Sequence, residues 1–336
     1  MTVASFPTTR LRRLRHRAKM RDLVRETHLN INDFVYPLFI KHGPGKNIPI
    51  ASMPGQYQIT LENLPAEIKA IASLNIPAVL LFGIPKEKDA CGSEAYRDDG
   101  IVPQAIRQIK SIAPDLLVIS DICCCEFTDH GHCGILDKTS GKLDVNNDKT
   151  LEILKKQALA HANAGADMLA PSGMIDGMVQ IIRHALDQEN YQHVPILSYS
   201  VKYASSYYSP FRDAADSAPQ YGDRHSYQMD IANTNEALRE TELDIAEGAD
   251  IIMIKPAITH LDIIHRVKQT FPQVPLAAYD VSGTYAMIKA AAEKHWLNEK
   301  NVVIENMLAI KRAGANFIIT YFAKDLARWL SVTNAI

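Results

Sequence analysis

The sequence predicts an α/β protein, a (β/α)8 TIM-type barrel with an extended N-terminal arm. Eight short apolar runs bounded by turn residues recur at intervals that suit alternating strands and helices. Most of these runs are apolar on successive residues, as expected of parallel strands that are buried on both faces. Three predicted helices also end at a glycine that leads into an apolar strand, which indicates a repeated βα unit.

The predicted strands follow one another through almost the whole chain. We expect an arm over residues 1–30 and the catalytic barrel over residues 31–336. The eight predicted strands cover residues 34–40, 78–83, 116–122, 168–172, 195–202, 251–255, 275–281 and 317–322. The three helix-ending glycines are Gly165, Gly248 and Gly314. An open doubly wound sheet is the alternative, but no G-x-G-x-x-G segment follows the first strand to form a dinucleotide-binding loop.

The arm is rich in basic residues. Eight lysines and arginines lie between residues 10 and 25, and the first acidic residue is Asp22. No apolar signal-peptide core accompanies them. A transit peptide and a phosphate-binding arm are alternatives. We expect instead an arm that packs on a neighbouring subunit, because the next apolar segment begins only near Phe34.

The overall composition excludes several classes of function. The chain has 336 residues, of which 47% are hydrophobic and 22% are charged, and its formal net charge is −2. This near balance predicts no electrostatic attraction to nucleic acid or to a membrane surface, and no apolar run reaches the ~18 residues of a spanning helix. Clustered cysteines without a secretion signal indicate a reducing compartment, so we expect a cytoplasmic protein.

Four of the five cysteines lie between residues 123 and 133, directly after the third predicted strand. Cys123, Cys125 and Cys133 form a C-x-C-x7-C set, and three thiolates with one open position are typical of a catalytic zinc site. Because side chains alternate along an extended segment, Cys124 is expected to point away from its neighbours.

Two alternatives to this ligand set stay open. His130 or His132, within the same segment, could replace one cysteine as a metal ligand. The cysteines could also be small buried hydrophobic residues. The histidines and glycines between them make the second alternative the weaker one.

Lys202 and Lys255 end the fifth and sixth predicted strands. In a barrel of this type, the chemistry takes place at the C-terminal ends of the strands. Burial and a second nearby cation both lower the pKa of an ammonium group, which yields the neutral amine that attacks a ketone to form a Schiff base. A single lysine at a sheet rim is common, whereas two on adjacent strands favour a site for a small carbonyl substrate.

A long loop rich in Ser, Tyr and Pro follows Lys202 and has the composition of an active-site lid. Arg212 and Arg224 in this loop are suited to bind a carboxylate, although solvated surface arginines are the alternative. Ser282 and Tyr321, near the ends of the last two strands, can donate hydroxyl hydrogen bonds to a second carboxylate.

Five ordered segments resemble motifs of the porphobilinogen synthase (δ-aminolevulinic acid dehydratase) family, in its zinc-dependent, cysteine-rich branch. They cover residues 121–134, 200–212, 222–228, 253–256 and 279–283, and the resemblance extends from about residue 12 to residue 327. It implies a lyase, specifically a hydro-lyase, that condenses two molecules of 5-aminolevulinate to porphobilinogen with loss of two waters. This reaction belongs to tetrapyrrole (heme) biosynthesis.

The resemblance also implies roles for individual residues. Lys255 holds the P-side substrate and Lys202 the A-side substrate as Schiff bases, and Asp121 assists proton transfer. A catalytic Zn2+ is held by the three cysteines named above. The substrate-binding residues that the family pattern implies are Arg212, Arg224, Gln228, Ser282, Tyr321, Tyr208 and Phe211.

Further expectations concern assembly and regulation. Glu240 matches an allosteric magnesium site near a subunit interface, with an exposed helix glutamate as the alternative, and the family is usually a homo-octamer. Two positions depart from the family pattern: Cys124 replaces a bulky apolar residue and Asp280 replaces glutamine. Two other functions are alternatives: a class I aldolase-like Schiff-base lyase that needs one lysine and no metal, and a non-catalytic barrel braced by zinc.

Overall fold

The computed structural model describes residues 5–332, which contain twelve strands and eleven α-helices. The strands are β1 (Phe34–Lys41), β2 (Ile48–Pro49), β3 (Tyr57–Thr60), β4 (Ala78–Ile84), β5 (Leu117–Ile122), β6 (Leu136–Asp137), β7 (Asp144–Val145), β8 (Met168–Pro171), β9 (Leu197–Lys202), β10 (Ile251–Lys255), β11 (Leu276–Asp280) and β12 (Phe317–Thr320). The helices are α1 (Ala18–Leu23), α2 (Leu64–Ser73), α3 (Ile101–Ile112), α4 (Asn147–Asn163), α5 (Met178–Gln188), α6 (Ser209–Ala214), α7 (Asn235–Glu247), α8 (Leu261–Thr270), α9 (Ser282–Glu293), α10 (Glu299–Ala313) and α11 (Ala323–Val332).

Eight parallel strands form the barrel in the order β8-β5-β4-β1-β12-β11-β10-β9. A parallel bridge between Leu169 and Ile196 joins the two ends of this order and closes the barrel. The predicted fold is therefore confirmed. Each of the eight predicted strands overlaps one barrel strand, and β1 and β4 each run one residue beyond the predicted end. The remaining strands form two small additions, β2 and β3 beside β1, and the hairpin β6–β7.

The helices pack on the barrel through apolar stripes. In α3, for example, Ile101, Ala105, Ile106 and Ile109 are buried at helical spacing, so one face of the helix contacts the strands. The three predicted helix-ending glycines all have positive φ angles, as a left-handed C-cap requires. Repeated helix termination at glycine thus directs the chain back into the next barrel strand.

The N-terminal arm lies outside the barrel, and residues 5–24 are exposed throughout. It contains a short 310 helix, Leu11–Leu14, and the six-residue α1, neither of which the sequence analysis predicted. The predicted domain boundaries, 1–30 and 31–336, extend at both ends beyond the described residues. Between residues 5 and 332, no helix combines the length and the apolar character needed to cross a membrane.

Candidate active site

The two predicted lysines lie side by side at the barrel mouth. The Cα atoms of Lys202 and Lys255 are partners in the parallel register of β9 and β10, and each residue is only 5% exposed. Burial, and then the positive charge of Lys202, lower the pKa of Lys255 to about 7. At neutral pH a large fraction of Lys255 is therefore the neutral amine, which is the nucleophilic form.

Aromatic rings surround the Lys255 amine. Its Nζ lies 4.2 Å from the ring centre of Tyr279, 5.1 Å from that of Phe211 and 5.2 Å from that of Tyr208. The ring centre of Tyr199 is also 5.2 Å from this amine and is 5.5 Å from the Lys202 amine. The rings help to exclude water from the amine, and this burial penalises its charged form.

Ser172 joins the predicted acid–base residue to the second lysine. Its hydroxyl donates to Asp121 Oδ2 at 3.0 Å, while its carbonyl oxygen accepts from Lys202 Nζ at 2.5 Å. Burial, and then the charge of Glu126, raise the pKa of Asp121 to about 8, although both lysines act in the opposite direction. Asp121 can therefore carry a proton at neutral pH.

The three predicted cysteine ligands come together at this end of the barrel. The sulfur atoms of Cys123, Cys125 and Cys133 all lie within 4.8 Å of one another and are buried. Hydrogen bonds from the other two thiols lower the pKa of Cys133 well below its usual value, with help from the charge of Arg224. Three buried sulfurs, one of them readily deprotonated, suit a thiophilic metal ion, whose binding releases the remaining thiol protons.

The structure argues against the histidine alternatives. His132 uses both ring nitrogens, contacting the Tyr227 hydroxyl at 3.0 Å and the Tyr221 carbonyl at 2.8 Å. His130 likewise accepts from the His132 backbone N–H at 3.1 Å and contacts the Ala90 carbonyl at 3.3 Å. These rings therefore support the loop through hydrogen bonds.

Cys124 packs in the main hydrophobic core, apart from the other three sulfurs. Burial raises the pKa of its thiol above the usual value. The prediction that Cys124 points away from the metal ligands is consistent with this position. Within residues 5–332, the second group that brings three ligand atoms within 4.8 Å consists of Asp121, Cys123 and Glu126.

The predicted lid, residues 203–228, covers the mouth. The Ser217 hydroxyl and atoms of three longer polar side chains on it are buried without a hydrogen-bond partner among the described residues. Arg212 Nε, Arg224 Nε and both amide atoms of Gln228 are buried and have no partner among the described residues. The other end of Arg224 is engaged, since its Nη2 donates to the carbonyls of Gly131 and Ser217 at 2.8 and 2.7 Å. Burial and the charge of Arg224 lower the pKa of Arg212. Unpaired donors of this kind are suited to a bound carboxylate.

The predicted residues on the Lys255 side are also close together. The Ser282 hydroxyl accepts from the Phe211 backbone N–H at 3.0 Å, and the hydroxyls of Tyr279 and Tyr321 are 3.2 Å apart. Tyr208 donates its hydroxyl to the Lys255 carbonyl at 3.1 Å. Phe211 and Tyr208 thus connect the lid directly to the strand that ends in Lys255.

Glu240 lies apart from these groups, on α7. It lines a cavity of about 510 Å3 together with other acidic residues. Burial, followed by the charges of Asp244 and Asp176, raises its pKa to about 7. Glu240 is half-buried, so the alternative of an exposed helix glutamate does not describe it. Within the described part of the chain, it does not belong to a group of three converging metal ligands.

Sequence reasoning missed four residues of the site: Ser172, Glu126, Tyr199 and Tyr279. Ser172 directly follows β8, so the rule that placed the lysines at strand ends would also have found it. Glu126 lies within the cysteine segment and is buried. The two tyrosines were included in predicted strands, but an apolar run does not show which of its members faces the barrel interior.

Comparisons with known proteins identify the family of the chain. Residues 8–329 match the family model of delta-aminolevulinic acid dehydratase. The chain is 54% identical over 325 residues to the delta-aminolevulinic acid dehydratase of Synechocystis sp., covering 97% of this chain and 99% of that protein. It is 52% identical over 321 residues to the enzyme of Staphylococcus epidermidis, covering 96% of this chain and 98% of that protein.

A solved structure gives the same result. The fold superimposes on the delta-aminolevulinic acid dehydratase (porphobilinogen synthase) of Toxoplasma gondii, which was solved in complex with its reaction product porphobilinogen. The TM-score is 0.93 at 42% sequence identity, and the match covers 96% of this chain and 92% of that chain.

The barrel and its mouth define a TIM-barrel enzyme with a buried lysine pair beside a thiol cluster that could bind a metal ion. The chain belongs to the delta-aminolevulinic acid dehydratase family. The prediction of a porphobilinogen synthase, a lyase of porphyrin biosynthesis, is confirmed by this membership. The class I aldolase and the non-catalytic barrel are left without support.

Proposed function

We propose that this chain condenses two molecules of 5-aminolevulinate to porphobilinogen through one Schiff base on Lys255 and one on Lys202. The lysine pair carries the proposal, because both amines are buried at the same barrel mouth on neighbouring strands. Each amine attacks one ketone and releases one water, which accounts for the two waters lost. One C–C bond and one C–N bond then join the substrates, and both amines are returned.

Lys255 is the group that binds the P-side substrate. Its lowered pKa favours the nucleophilic neutral amine at neutral pH, and the aromatic rings of Tyr279, Phe211 and Tyr208 keep water from its Schiff base. The hydroxyls of Ser282 and Tyr321 are the donors for the substrate carboxylate on this side.

Lys202 binds the A-side substrate beneath the lid. The unpaired donors of Arg212, Arg224 and Gln228 support this assignment, because a carboxylate would satisfy them. Two arginines close together in a buried site repel each other until an anion binds. The A-side carboxylate therefore stabilises the closed position of the lid.

Cys123, Cys125 and Cys133 would hold zinc, and their sulfur chemistry and number support this choice. When bound, zinc would supply Lewis acidity for the reaction. Asp121 is the group that accepts or returns a proton during turnover, and its location near Lys202, with Ser172 as a shared hydrogen-bond partner, supports this role.

Assembly and regulation form a separate part of the proposal. The arm presents the apolar side chains of Phe6, Leu11 and Leu23, each more than 70% exposed, which supports packing on a neighbouring subunit of a homo-octamer. The acidic cavity around Glu240 supports an allosteric magnesium site. We also place the protein in the cytoplasm. Sedimentation of the purified chain with and without magnesium tests the first two assignments.

The central experiment traps the Schiff bases. The protein is incubated with 5-aminolevulinate, reduced with borohydride and digested, and labelled lysines are identified by mass spectrometry. We expect label on Lys255 and Lys202, loss of turnover by about 10³-fold or more in Lys255→Met and Lys202→Met, and normal turnover in Lys69→Met, which changes an exposed lysine. An active enzyme in which neither lysine is labelled contradicts the proposal. A colorimetric assay for porphobilinogen with and without a chelator tests the metal.

A further inference from the structure

Lys88 lies outside the groups described so far, on the loop that follows β4, residues 85–92 (the β4 loop). Its Nζ donates to the carbonyl of Asp216 at 2.6 Å and reaches the carbonyl of Ala215 at 3.4 Å. These carbonyls directly follow α6, the lid helix that carries Phe211 and Arg212. The ammonium therefore binds the C-terminal end of the lid helix, where carbonyl oxygens lack helical partners.

The same loop is bonded to the cysteine loop, residues 123–133. Asp89 and Thr128 form a parallel bridge, and the Asp129 backbone N–H donates to the Asp89 carbonyl at 3.1 Å. One position further on, the Ala90 carbonyl contacts His130 Nε2 at 3.3 Å. Adjacent residues of the β4 loop thus contact the lid on one side and the metal-binding segment on the other.

The cysteine loop and the lid also contact each other directly. Arg224 binds the Gly131 carbonyl, and the Gln220 backbone N–H donates to the His130 carbonyl at 3.0 Å. Gly131 has a φ of 69°, and a Cβ atom there would collide with the backbone carbonyl of Ala218. The β4 loop, the cysteine loop and the lid therefore form a closed ring of contacts around the mouth.

Lys88 is half-buried in this ring. Burial lowers its pKa, while the nearby charges of Glu126, Asp216 and Cys125 favour the ammonium form. A hydrogen bond from a charged donor to a carbonyl oxygen is stronger than one from a neutral donor. Two other contacts hold the same end of α6: Ser52 donates to Asp213 Oδ2 at 2.6 Å and Gln58 to the Ala214 carbonyl at 2.9 Å. Loss of Lys88 alone should therefore loosen the lid without releasing it.

We propose that Lys88 is a positioning residue that holds Phe211 and Arg212 over the lysine pair and couples lid closure to the order of the cysteine loop. The expected effect of Lys88 on substrate binding rests on the proposed function. Because the three segments share contacts, an ion held by the cysteines stabilises the closed lid, and the closed lid stabilises the bound ion by the same free energy.

The test uses the full-length protein with three substitutions. Lys88→Met removes the ammonium at similar length, Lys88→Arg keeps a charged donor, and Lys86→Met changes an exposed lysine of the same loop. Far-UV circular dichroism and thermal unfolding establish that each variant is folded. Two measurements are independent of turnover: the rate of tryptic cleavage within residues 203–228, and zinc retention in competition with a chromogenic chelator.

For Lys88→Met we expect faster lid cleavage by about fivefold to tenfold, weaker zinc retention by a similar factor, and a KM for 5-aminolevulinate raised about tenfold with a smaller change in kcat. Zinc should slow lid cleavage in the wild type and do so less in Lys88→Met. Lys88→Arg should restore most of each property, and Lys86→Met should behave like the wild type.

The proposal would be overturned if lid cleavage and zinc retention in Lys88→Met equalled the wild-type values. It would also be overturned if Lys86→Met changed both properties as much as Lys88→Met does. If Lys88→Met does not fold, Lys88→Gln replaces it, with the same expectations and the same contrary result. A wild-type protein that makes no porphobilinogen contradicts the proposed function, but the cleavage and zinc measurements still decide the role of Lys88.

Discussion

Lys202 and Lys255 are register partners at the ends of neighbouring parallel strands, so each ammonium group lies in the electrostatic field of the other. The charge of Lys202 is the largest cause, after burial, of the lowered pKa of Lys255. The parallel register of two strands thus prepares a nucleophilic amine before any substrate is bound, and this has a measurable effect on pH dependence.

The rate of Schiff-base formation at Lys255 should be proportional to the fraction of its amine that is neutral. With a pKa of about 7, the rate is expected to be level above pH 8 and to fall roughly tenfold for each pH unit below 6. In Lys202→Met, loss of the neighbouring charge should move the midpoint to higher pH. Both profiles can be measured by exposing the protein to 5-aminolevulinate for a timed interval at each pH, then reducing with borohydride at one common pH. Identical midpoints in the two proteins would show that Lys202 does not affect the amine.

The carboxyl group of Asp280 should make the stability of the protein depend on pH. The substitution Asp280→Asn should remove this dependence. Burial raises the pKa of its carboxyl group from 3.8 to about 7, despite hydrogen bonds from Thr320 and Thr284. Between these values the folded state binds more protons than the unfolded state, so this group makes the protein less stable as pH rises from about 4 to 7.

The Asp280→Asn variant is therefore expected to be more stable than the wild type by roughly 1 to 3 kcal/mol at pH 8, with little difference at pH 4. Urea unfolding at several pH values measures this. A stability difference that does not change with pH would show that the carboxyl group is already ionised in the folded protein near pH 4.

Cys125 and Cys124 are adjacent but should respond differently to substitution. Cys125→Ala removes one of the three converging sulfurs and should weaken zinc binding at least about 100-fold, with a matching loss of turnover. Cys124→Ala leaves those sulfurs in place and should retain zinc, at the cost of about 1 kcal/mol of stability from the small cavity in the core. Zinc per chain after dialysis distinguishes the two. If Cys124→Ala loses zinc as fully as Cys125→Ala, the ligand set is wrong.

Substitution of Arg212 should weaken the binding of the second, A-side substrate more than that of the first, P-side substrate. Arg212→Lys keeps the charge but loses the planar donor pair, so kcat/KM is expected to fall by about 10-fold to 100-fold through a higher KM. Borohydride labelling of Lys255 by the first substrate should remain at the wild-type level. Arg239→Lys, an exposed position on α7, serves as the control. A loss of Lys255 labelling in Arg212→Lys would place Arg212 on the P side.

Much of this site could be predicted from the sequence because its residues follow apolar runs directly. Lys202, Lys255 and Cys123 could be placed at strand ends from the chain alone, since parallel barrel strands all end at the same face. The choice between cysteine and histidine ligands could not be made in the same way. The hydrogen bonds that occupy His132 come from Tyr221 and Tyr227, which lie on the distant lid.

The sequence by itself determined the order of the eight barrel strands, the glycines that end three helices, and the chemical groups available at each strand end. Local periodicity and turn chemistry are properties of neighbouring residues, and the linear chain contains them in full. Only the tertiary structure decided that Ser172 joins Asp121 to Lys202, that Glu126 is buried beside the thiols, and that Lys88 reaches the lid. Those contacts exist because barrel closure brings loops from distant parts of the chain to one rim, and residue spacing along the chain does not record that proximity.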